Sequence, residues 1–184
     1  MPTPKARIDT NGTKLSSNVL TGMTCRLSAV TTDALRAARV PLPGQDPEPL
    51  PYLAGQPTGD GAGTAYGLDV HVEVDWNGTV VSRPEFRDMY WSPAQMVAHM
   101  TVNGATLRSG DLFGSGTISG PEKGTRGCFL ELTWSGTEPI LLSDGSQRTF
   151  LEDGDTVTLR ATAPGPGGSV IGFGECVGTV LPAR

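Results

Sequence analysis

The stretch Gly67–Ser82, GLDVHVEVDWNGTVVS, decides the fold class of this chain. Apolar residues occupy every second position from Leu68 to Val74, and polar residues stand between them. This period of two is typical of a strand with one buried side and one solvent-facing side. Asn77-Gly78 follows, the strongest short signal for a hairpin turn, and Thr79–Ser82 then returns. We therefore predict an antiparallel pair of strands here.

Short strands separated by turns continue toward the C-terminus. Further strand-like segments are Glu138–Leu142, Thr156–Ala163 and Ser169–Leu181, with Asp144-Gly145 and a Gly-Pro-Gly-Gly turn at 165–168 between them. The 184 residues include 25 Gly and 15 Pro, and only 6% are aromatic, as expected of a turn-rich β protein. Evenly spaced strands of this kind predict a mainly β fold, a β-roll or barrel-like sheet.

Two segments depart from this pattern and predict short helices. Asp33–Arg39 reads as a brief helix that stops before Pro41. The second helix, Ala94–Val102, begins with the capping box Ser92–Gln95 and ends at Asn103-Gly104. Between these helices, residues 41–63 are rich in Pro and Gly. They form either a linker or extended proline-rich segments that lie across a sheet, and the sequence leaves both open.

Charge and cysteine content exclude several classes of partner. The net charge of −5 argues against nucleic acid or an anionic membrane surface. No apolar run approaches the length of a membrane span, and the N-terminus lacks the apolar core of a secretory signal. Three widely spaced cysteines suit reduced thiols. We therefore expect a cytoplasmic protein.

Candidate functional residues concentrate between Asn103 and Trp134. A predicted strand at Asp111–Phe113 leads into Gly114–Glu122, GSGTISGPE, a loop rich in backbone N–H groups and hydroxyls, which are the usual components of an anion-holding turn. The loop lacks the spacing and the βαβ context of a dinucleotide site. Two interpretations stay open for it, a tight turn that presents Thr117 and a contact with a small anion.

The next segment, Cys128–Trp134, alternates with a period of two and predicts a strand. Leu130 and Leu132 would then point into the core, and Glu131 would face the other side. A Glu on a strand is by default solvent-facing. The neighbouring loop could instead bring Thr117 and Glu131 to one cleft.

Two other groups of residues carry weaker signals. Asp69, His71, Glu73 and Asp75 share one strand face, but successive side chains there should stand about 6.5–7 Å apart, too far for one ion to gather all four. We interpret them as the solvent face of a strand. His99 lies on the second predicted helix without a visible acid partner, which favours a structural role.

Several motifs in this order make the chain resemble the C-terminal part of the fumarylacetoacetase (fumarylacetoacetate hydrolase) family. They are the segments Gln45–Leu53, Met89–Trp91, Val102–Gly104, Ser115–Glu122, Leu130–Leu132, Asp153–Asp155, Ile171–Gly174 and Val180–Ala183. The resemblance runs from about Asp33 to Ala183. It divides the chain into an unmatched segment, 1–30, and a partial catalytic domain, 31–184.

The resemblance implies a hydrolase that cleaves a carbon–carbon bond in a small diketo acid. By this resemblance, we expect a homodimeric enzyme that uses Mg²⁺ or Ca²⁺. Such an enzyme splits fumarylacetoacetate into fumarate and acetoacetate in tyrosine and phenylalanine catabolism. A His base activates water in that scheme, and the metal stabilises the leaving enolate. The family's catalytic Glu falls on Glu131, and its substrate-contacting Thr falls on Thr117.

The chain departs from the family in its upstream part. The family's base His and carboxylate metal ligands lie before anything present here, and its metal-serving Lys and Thr fall near Val19 and on Met23. No metal ligand is therefore assigned in this chain, and we expect no tight binding of Mg²⁺ or Ca²⁺ to it alone. We expect a homodimer or a chain that needs a missing N-terminal half, and no hydrolase activity without it.

Two alternatives to the hydrolase interpretation remain. The first is a non-catalytic, truncated β module retained for dimerisation or binding, with a decayed site. The second is an acylpyruvase or decarboxylase on the same fold, which the long C-terminal match disfavours.

Overall fold

Antiparallel strand pairs build the sheets of this protein. A computed structural model describes residues 35–42, 44–45, 47–54, 66–109 and 111–183. The described strands are β1 (Arg39–Pro41), β2 (Tyr66–Leu68), β3 (His71–Trp76), β4 (Thr79–Ser82), β5 (Ile140–Leu141), β6 (Gln147–Arg148), β7 (Thr156–Pro164) and β8 (Val170–Thr179). Four of them form a sheet in the order β4-β3-β7-β8, while β1 pairs with β2 and β5 with β6. The mainly β prediction is confirmed, and the sheets of the described strands are open rather than closed into a barrel.

The hairpin between β3 and β4 forms as predicted. Asn77 and Gly78 have φ values of 50° and 81°, the left-handed pair that a two-residue hairpin turn of type I′ requires. The side-chain Nδ2 of Asn77 donates to Asp155 Oδ1 at 2.8 Å, and the side-chain Oδ1 of Asn77 accepts the Thr156 N–H at 2.8 Å. The predicted strand is nevertheless interrupted, because residues 69 and 70 separate β2 from β3.

Three short α-helices are described: α1 (Pro51–Ala54), α2 (Pro93–Thr101) and α3 (Phe129–Leu132). The prediction of α2 is confirmed to within one residue at each end, together with its capping box. Ser92 Oγ accepts the Gln95 N–H at 3.1 Å, and the Ser92 N–H donates to Gln95 Oε1 at 2.9 Å. None of the helices in the described part of the chain has the length and apolar character of a membrane span.

The first predicted helix is wrong in its second half. Leu35 and Arg36 are helical, but Arg39 already belongs to β1 because Arg39–Pro41 pairs with β2. Asp33 and Ala34 lie outside the described residues. Local helix propensity at this end of the segment is overridden by pairing with a strand about thirty residues further along the chain.

The described part of the Pro-rich segment packs against α2. Leu53 of α1 is buried, and its carbonyl accepts a hydrogen bond from Gln95 Nε2 at 3.1 Å. The side chain of Gln45 also bonds Gln95, with Oε1 accepting at 2.9 Å. These contacts exclude a free linker for residues 47–54, while residues 55–65 lie outside the described part.

A buried aromatic contact anchors α3 to the main sheet. The ring of Phe129 lies 4.7 Å from that of Trp76, centroid to centroid, and both side chains are fully buried. Leu132 and Leu142 complete this cluster. Because each such side chain removes a large apolar area from water, the cluster fixes the position of α3 relative to β3.

The predicted strand at Cys128–Trp134 is wrong, since the segment forms α3 and a following turn. Phe129 and Leu132, three residues apart, share the buried side, whereas Leu130 is 47% exposed and Trp134 is 64% exposed. Thr133 closes the helix by donating its N–H and hydroxyl to the Phe129 carbonyl at 2.9 and 2.6 Å. Leu132 thus points into the core as predicted, and Leu130 does not.

Candidate active site

Glu131 sits on the single turn of α3, with its carboxylate held by two neutral donors. Ser119 Oγ donates to Glu131 Oε2 at 2.6 Å, and Cys128 Sγ donates to the same oxygen at 3.2 Å. Arg126 Nη1 holds the backbone carbonyl of Glu131 at 2.9 Å. The side chain is half-buried rather than solvent-facing. One carboxylate oxygen is therefore oriented by the protein.

Ser119 connects the Gly-rich loop to α3. Its hydroxyl accepts the Gly127 N–H at 3.0 Å while donating to Glu131. A hydroxyl has a single proton, so accepting from an N–H directs that proton to the carboxylate. The loop that precedes Ser119 is irregular throughout, and the strand predicted at Asp111–Phe113 does not form. Leu112 there is 83% exposed, so no buried face stabilises a strand.

Cys128 acts as a donor because its thiol stays protonated. Partial burial raises the pKa of the Cys128 thiol, and the neighbouring Glu131 carboxylate raises it further by hydrogen bonding and by charge. A thiol with a raised pKa carries its proton at neutral pH and is a weak nucleophile. Cys128 therefore suits a positioning role beside Glu131 and does not suit a role as attacking group.

Thr117 lies beside the same backbone segment that positions Glu131. A Cβ built on Gly127 would stand 2.9 Å from Thr117 Cγ2, so the Thr117 methyl packs directly on Gly127. The Thr117 side chain is exposed, and its hydroxyl bonds no described residue. Thr117 and Glu131 thus flank the Gly127–Cys128 backbone. That they serve one cleft remains a prediction.

A cavity of about 340 Å³ opens next to this loop. Its walls are mostly apolar, and the loop residues 114–116 and Ile118 form one side of it, opposite Val70 and Val74. Gly127 also lines the cavity, but Thr117 and Glu131 do not. This apolar cavity therefore adjoins Thr117 and Glu131 without being lined by them.

His99 lines a second cavity, of about 670 Å³, between α1 and α2. The Tyr52 hydroxyl lies 3.1 Å from His99 Nδ1, and the two rings are stacked with centroids 6.5 Å apart. No carboxylate is among the described partners of His99. A Tyr partner in place of an acid supports the structural interpretation of this histidine.

The acidic strand face differs from the prediction in its first two residues. His71 Nε2 lies 3.4 Å from Asp69 Oδ1, well below the spacing expected for successive residues on a regular strand. The break between β2 and β3 brings these two side chains together. Glu85, which sequence reasoning did not select, joins them through an isolated antiparallel bridge to His71.

The other two residues of that face bind elsewhere. Glu73 pairs with Arg83 at 3.1 Å and with Arg160 at 3.7 Å. Asp75 Oδ1 accepts the Gly78 N–H at 2.9 Å within the hairpin turn. The four residues therefore do not converge on one point, as their spacing predicted, although they form ion pairs and turn contacts rather than a simply solvated face.

The described residues around Glu131 do not fit a Mg²⁺ or Ca²⁺ site. Such ions take several oxygen ligands, with carboxylates foremost among them. The side chains bonded to the Glu131 carboxylate are a hydroxyl and a thiol, and no second carboxylate is among its described partners. Val19 and Met23, where the resemblance places further metal-serving positions, lie outside the described residues.

Comparison with known proteins identifies the family. A model of the fumarylacetoacetate (FAA) hydrolase C-terminal family matches residues 19–181. The chain is 44% identical over 168 residues to a human fumarylacetoacetase, a match that covers 88% of this chain and 38% of the relative. It is 45% identical over 158 residues to a fumarylacetoacetase from Arabidopsis thaliana, covering 84% and 36%. A third, from Emericella nidulans, is 50% identical over 143 residues, covering 76% and 32%.

The chain therefore belongs to the fumarylacetoacetate hydrolase C-terminal family. It spans about a third of the length of these relatives. The family membership is thus established over most of this chain, while the activity of the complete relatives comes to it as a proposal.

Sequence reasoning missed the residues that position Glu131. Ser119 and Cys128 belong to quoted segments, but neither was singled out, because the strand prediction placed Cys128 on the face opposite Glu131. A helical spacing would have brought Cys128, three residues earlier, next to Glu131. The contact with Ser119 spans twelve residues and carries no local signal.

Proposed function

We propose that this chain is part of a hydrolase that cleaves fumarylacetoacetate at a carbon–carbon bond, giving fumarate and acetoacetate. This reaction belongs to tyrosine and phenylalanine breakdown. Family membership and relatives that carry the name fumarylacetoacetase support the proposal. The single structural observation that supports it most is the carboxylate of Glu131 held by Ser119 and Cys128.

In this proposal Glu131 orients the base and its water. Two neutral donors occupy Oε2, which leaves Oε1 as the atom for a donor outside the described contacts. A carboxylate held in one orientation can accept a proton-bearing partner in a fixed direction, which is what a general base needs from its neighbour. Glu131 thus acts through its partner rather than on the substrate bond.

Thr117 contacts the substrate in this proposal. Its hydroxyl is exposed and bonds no described residue, so it is free to meet an oxygen of a small diketo acid. The base His and the residues that hold Mg²⁺ or Ca²⁺ would come from a separate N-terminal half, since a second copy of this chain carries the same residues as the first. The complete enzyme would work in the cytoplasm, and this chain alone would be inactive.

The experiment is an assay of residues 1–184 alone and after addition of a separately made N-terminal half. Purified chain, supplied with Mg²⁺ or Ca²⁺, is mixed with fumarylacetoacetate, and the loss of diketone absorbance is followed. We expect no turnover from the chain alone and metal-dependent turnover from the combination. A combination made with Glu131→Gln should lose most of that activity. Turnover by the chain alone, absent from the Glu131→Gln chain purified in parallel, would overturn the proposed division of the site.

The second candidate is a non-catalytic β module for dimerisation or binding. The apolar cavity of about 340 Å³ favours it, since a mostly apolar lining suits an apolar side chain from another protein segment. In that case, the combination of halves would stay inactive while light scattering coupled to gel filtration would report a stable dimer of this chain.

A further inference from the structure

Arg126 is a half-buried arginine whose guanidinium contacts a backbone carbonyl and an aromatic ring rather than a carboxylate of the described residues. Its Nη1 donates to the carbonyl of Glu131 at 2.9 Å, and its guanidinium carbon lies over the Trp134 ring, 5.9 Å from the centroid. A guanidinium at this distance is attracted to the face of an indole ring. Arg126 therefore connects α3 to the turn that follows it.

The carbonyl of Glu131 needs a donor from outside the helix. α3 has only four residues, and the last carbonyls of a helix have no partner within it. The Ser135 N–H donates to the Leu130 carbonyl at 2.7 Å, but the Trp134 N–H lies 3.4 Å from the Glu131 carbonyl, beyond the usual range of a hydrogen bond. Arg126 thus supplies a closer, charged donor at the end of α3.

The turn after α3 is left-handed in three successive residues. The backbone angle φ is 47° at Trp134, 59° at Ser135 and 86° at Gly136. A left-handed backbone is costly for residues other than glycine, so Trp134 and Ser135 keep it because surrounding contacts hold them there. The Trp134 ring is largely exposed, and burial does not hold it. The guanidinium of Arg126 over that ring is a contact that does.

Arg126 is itself fixed to the main sheet. Ser82 on β4 is buried, and its hydroxyl donates to the Arg126 carbonyl at 2.7 Å. The next residue, Gly127, donates its N–H to Ser119 Oγ at 3.0 Å. The guanidinium therefore projects from a backbone that is bonded on both sides. Its contact with Glu131 ties the position of α3 to that of β4.

We propose that Arg126 is a positioning residue for Glu131. Ser119 holds the carboxylate at the end of the Glu131 side chain. Arg126 holds the backbone from which that side chain projects, by its bond to the carbonyl and its contact with Trp134. The effect of Arg126 on turnover rests on the proposed hydrolase function, whereas its effect on the direction of the carboxylate can be measured in this chain alone.

Two possible roles of Arg126 change the pKa of the Cys128 thiol in opposite directions. A positive charge near a thiol favours the thiolate, so the loss of Arg126 as a mere charge would raise that pKa. The Glu131 carboxylate, which accepts from Cys128 Sγ at 3.2 Å, raises the pKa of the thiol. If Arg126 keeps the carboxylate there, its loss releases the carboxylate and lowers the pKa of Cys128.

The test is the pH dependence of Cys128 alkylation by iodoacetamide in purified residues 1–184, followed by peptide-resolved mass spectrometry. Arg126→Gln should lower the pH midpoint and speed alkylation at neutral pH by roughly threefold or more. Arg126→Lys keeps a donor without the planar fork and should restore part of the wild-type midpoint. Lys123→Gln is the matched control, since it removes a nearby positive charge that pairs with Glu138, and it should not lower the midpoint.

The Glu131→Gln chain separates positioning from a general loosening of the fold. Without a carboxylate to position, Arg126→Gln should add no further shift of the Cys128 midpoint, whereas loosening would expose the thiol in both backgrounds. Trp134→Asn removes the ring but keeps a residue that tolerates the left-handed backbone, and it should lower the midpoint less than Arg126→Gln does. Circular dichroism checks the fold of each variant.

A midpoint that rises or stays constant in Arg126→Gln would overturn the positioning role, as would a further shift of equal size in the Glu131→Gln background. In the combination with the N-terminal half, Arg126→Gln should lower kcat by roughly tenfold and leave KM nearly unchanged. A rise in KM alone would contradict the proposal, because it would mean that Arg126 binds substrate. An inactive wild-type combination would count against the hydrolase function, and the alkylation midpoints would still decide the role of Arg126.

Discussion

Ser119 Oγ lies 2.6 Å from Glu131 Oε2 and donates a hydrogen bond to it across twelve residues of sequence. The same hydroxyl accepts the Gly127 N–H at 3.0 Å, which fixes the direction of its proton. Ser119 therefore ties the carboxylate of α3 to the backbone of the preceding turn. The orientation of Glu131 depends on this tie as well as on the packing of Phe129 beneath it.

Ser119→Ala in the complete enzyme should lower kcat while leaving KM nearly unchanged. A hydrogen bond to a charged group contributes about 1.5–3 kcal/mol, so the loss should be roughly tenfold or more. Glu131→Gln should cost more, roughly 10²-fold or above. Steady-state kinetics provide the measurement. Ser115→Ala is the matched control, since the Ser115 hydroxyl bonds the neighbouring Gly116 carbonyl and no other described residue. Equal kinetics for the two Ser→Ala variants would remove Ser119 from this role.

Thr117→Val in the complete enzyme should mainly raise KM. Valine keeps the shape and the methyl contact with Gly127 but lacks the exposed hydroxyl. Loss of one neutral hydrogen bond to substrate corresponds to roughly a two- to tenfold change. A rise in KM at constant kcat is the signature of lost ground-state binding. Thr117→Ser, which retains the hydroxyl, serves as control. A fall in kcat alone would assign Thr117 to the chemical step instead.

Local signals predicted the hairpin and α2 because the interactions that form them are themselves local. The turn at Asn77-Gly78 needs two residues with positive φ, and the capping box at Ser92–Gln95 joins residues three apart. Both appear in the structure within one or two residues of the prediction. Because the residues that stabilise each of these features lie within the motif itself, the motif is enough to predict the local structure.

The strand predicted at Cys128–Trp134 was wrong because seven residues are too few to distinguish the period of two of a strand from the period of about 3.6 of a helix. Alternation placed Leu130 and Leu132 on one side, whereas the i, i+3 pair Phe129 and Leu132 is what the core buries. The partner that decides between these patterns is Trp76, more than fifty residues earlier. The family resemblance therefore selected Glu131 as a candidate, while the period of two predicted the wrong local structure for it.

Long-range contacts also explain why the sequence did not predict the group formed by Asp69, His71 and Glu85. The spacing argument assumed a continuous strand, and the break after β2 invalidates it for Asp69 and His71. Glu85 pairs with His71 through an isolated antiparallel β-bridge beyond the hairpin, and no periodicity in the sequence indicates that pairing. The wider grouping with Glu73 and Asp75 was still excluded on sound grounds, because those residues lie further along a regular strand.

Native Cys128 should react slowly with iodoacetamide at neutral pH. Burial raises the pKa of its thiol, and the Glu131 carboxylate adds to that shift. Only the thiolate reacts, so the pH midpoint of alkylation should lie above the ordinary thiol value of about 8.5. Glu131→Gln removes the negative charge and the raised pKa should fall, which speeds alkylation at a given pH. Peptide-resolved mass spectrometry measures the rate, with Cys176 as internal control.

The raised pKa of the Cys128 thiol also makes the stability of the folded chain depend on pH. The folded state binds the Cys128 proton more tightly than the unfolded state. Its stabilising contribution is therefore complete below about pH 8.5 and is lost as pH rises through the raised native pKa. Cys128→Ser should flatten this part of the pH profile of unfolding. An alkylation midpoint at or below that of the urea-unfolded chain would contradict both expectations.

Gly127→Ala should disrupt the arrangement around Glu131 for a purely steric reason. A Cβ at this position would stand 2.1 Å from the Ile118 carbonyl oxygen and 2.9 Å from Thr117 Cγ2. The oxygen belongs to the backbone, so the loop itself must move, and we expect this movement to weaken the hydrogen bond from the Gly127 N–H to Ser119. Overpacking of this kind costs about 1–3 kcal/mol in the free energy of unfolding.

Gly124→Ala is the matched control for this substitution, because nothing lies within 4 Å of a Cβ there. Urea unfolding should show a loss for Gly127→Ala and a change within about 0.5 kcal/mol for Gly124→Ala. Cys128 alkylation in Gly127→Ala should also become faster, since displacement of the turn separates the thiol from Glu131. Equal unfolding curves and equal alkylation rates for the two variants would mean that the loop yields freely. The carboxylate of Glu131 would then owe its orientation to α3 alone.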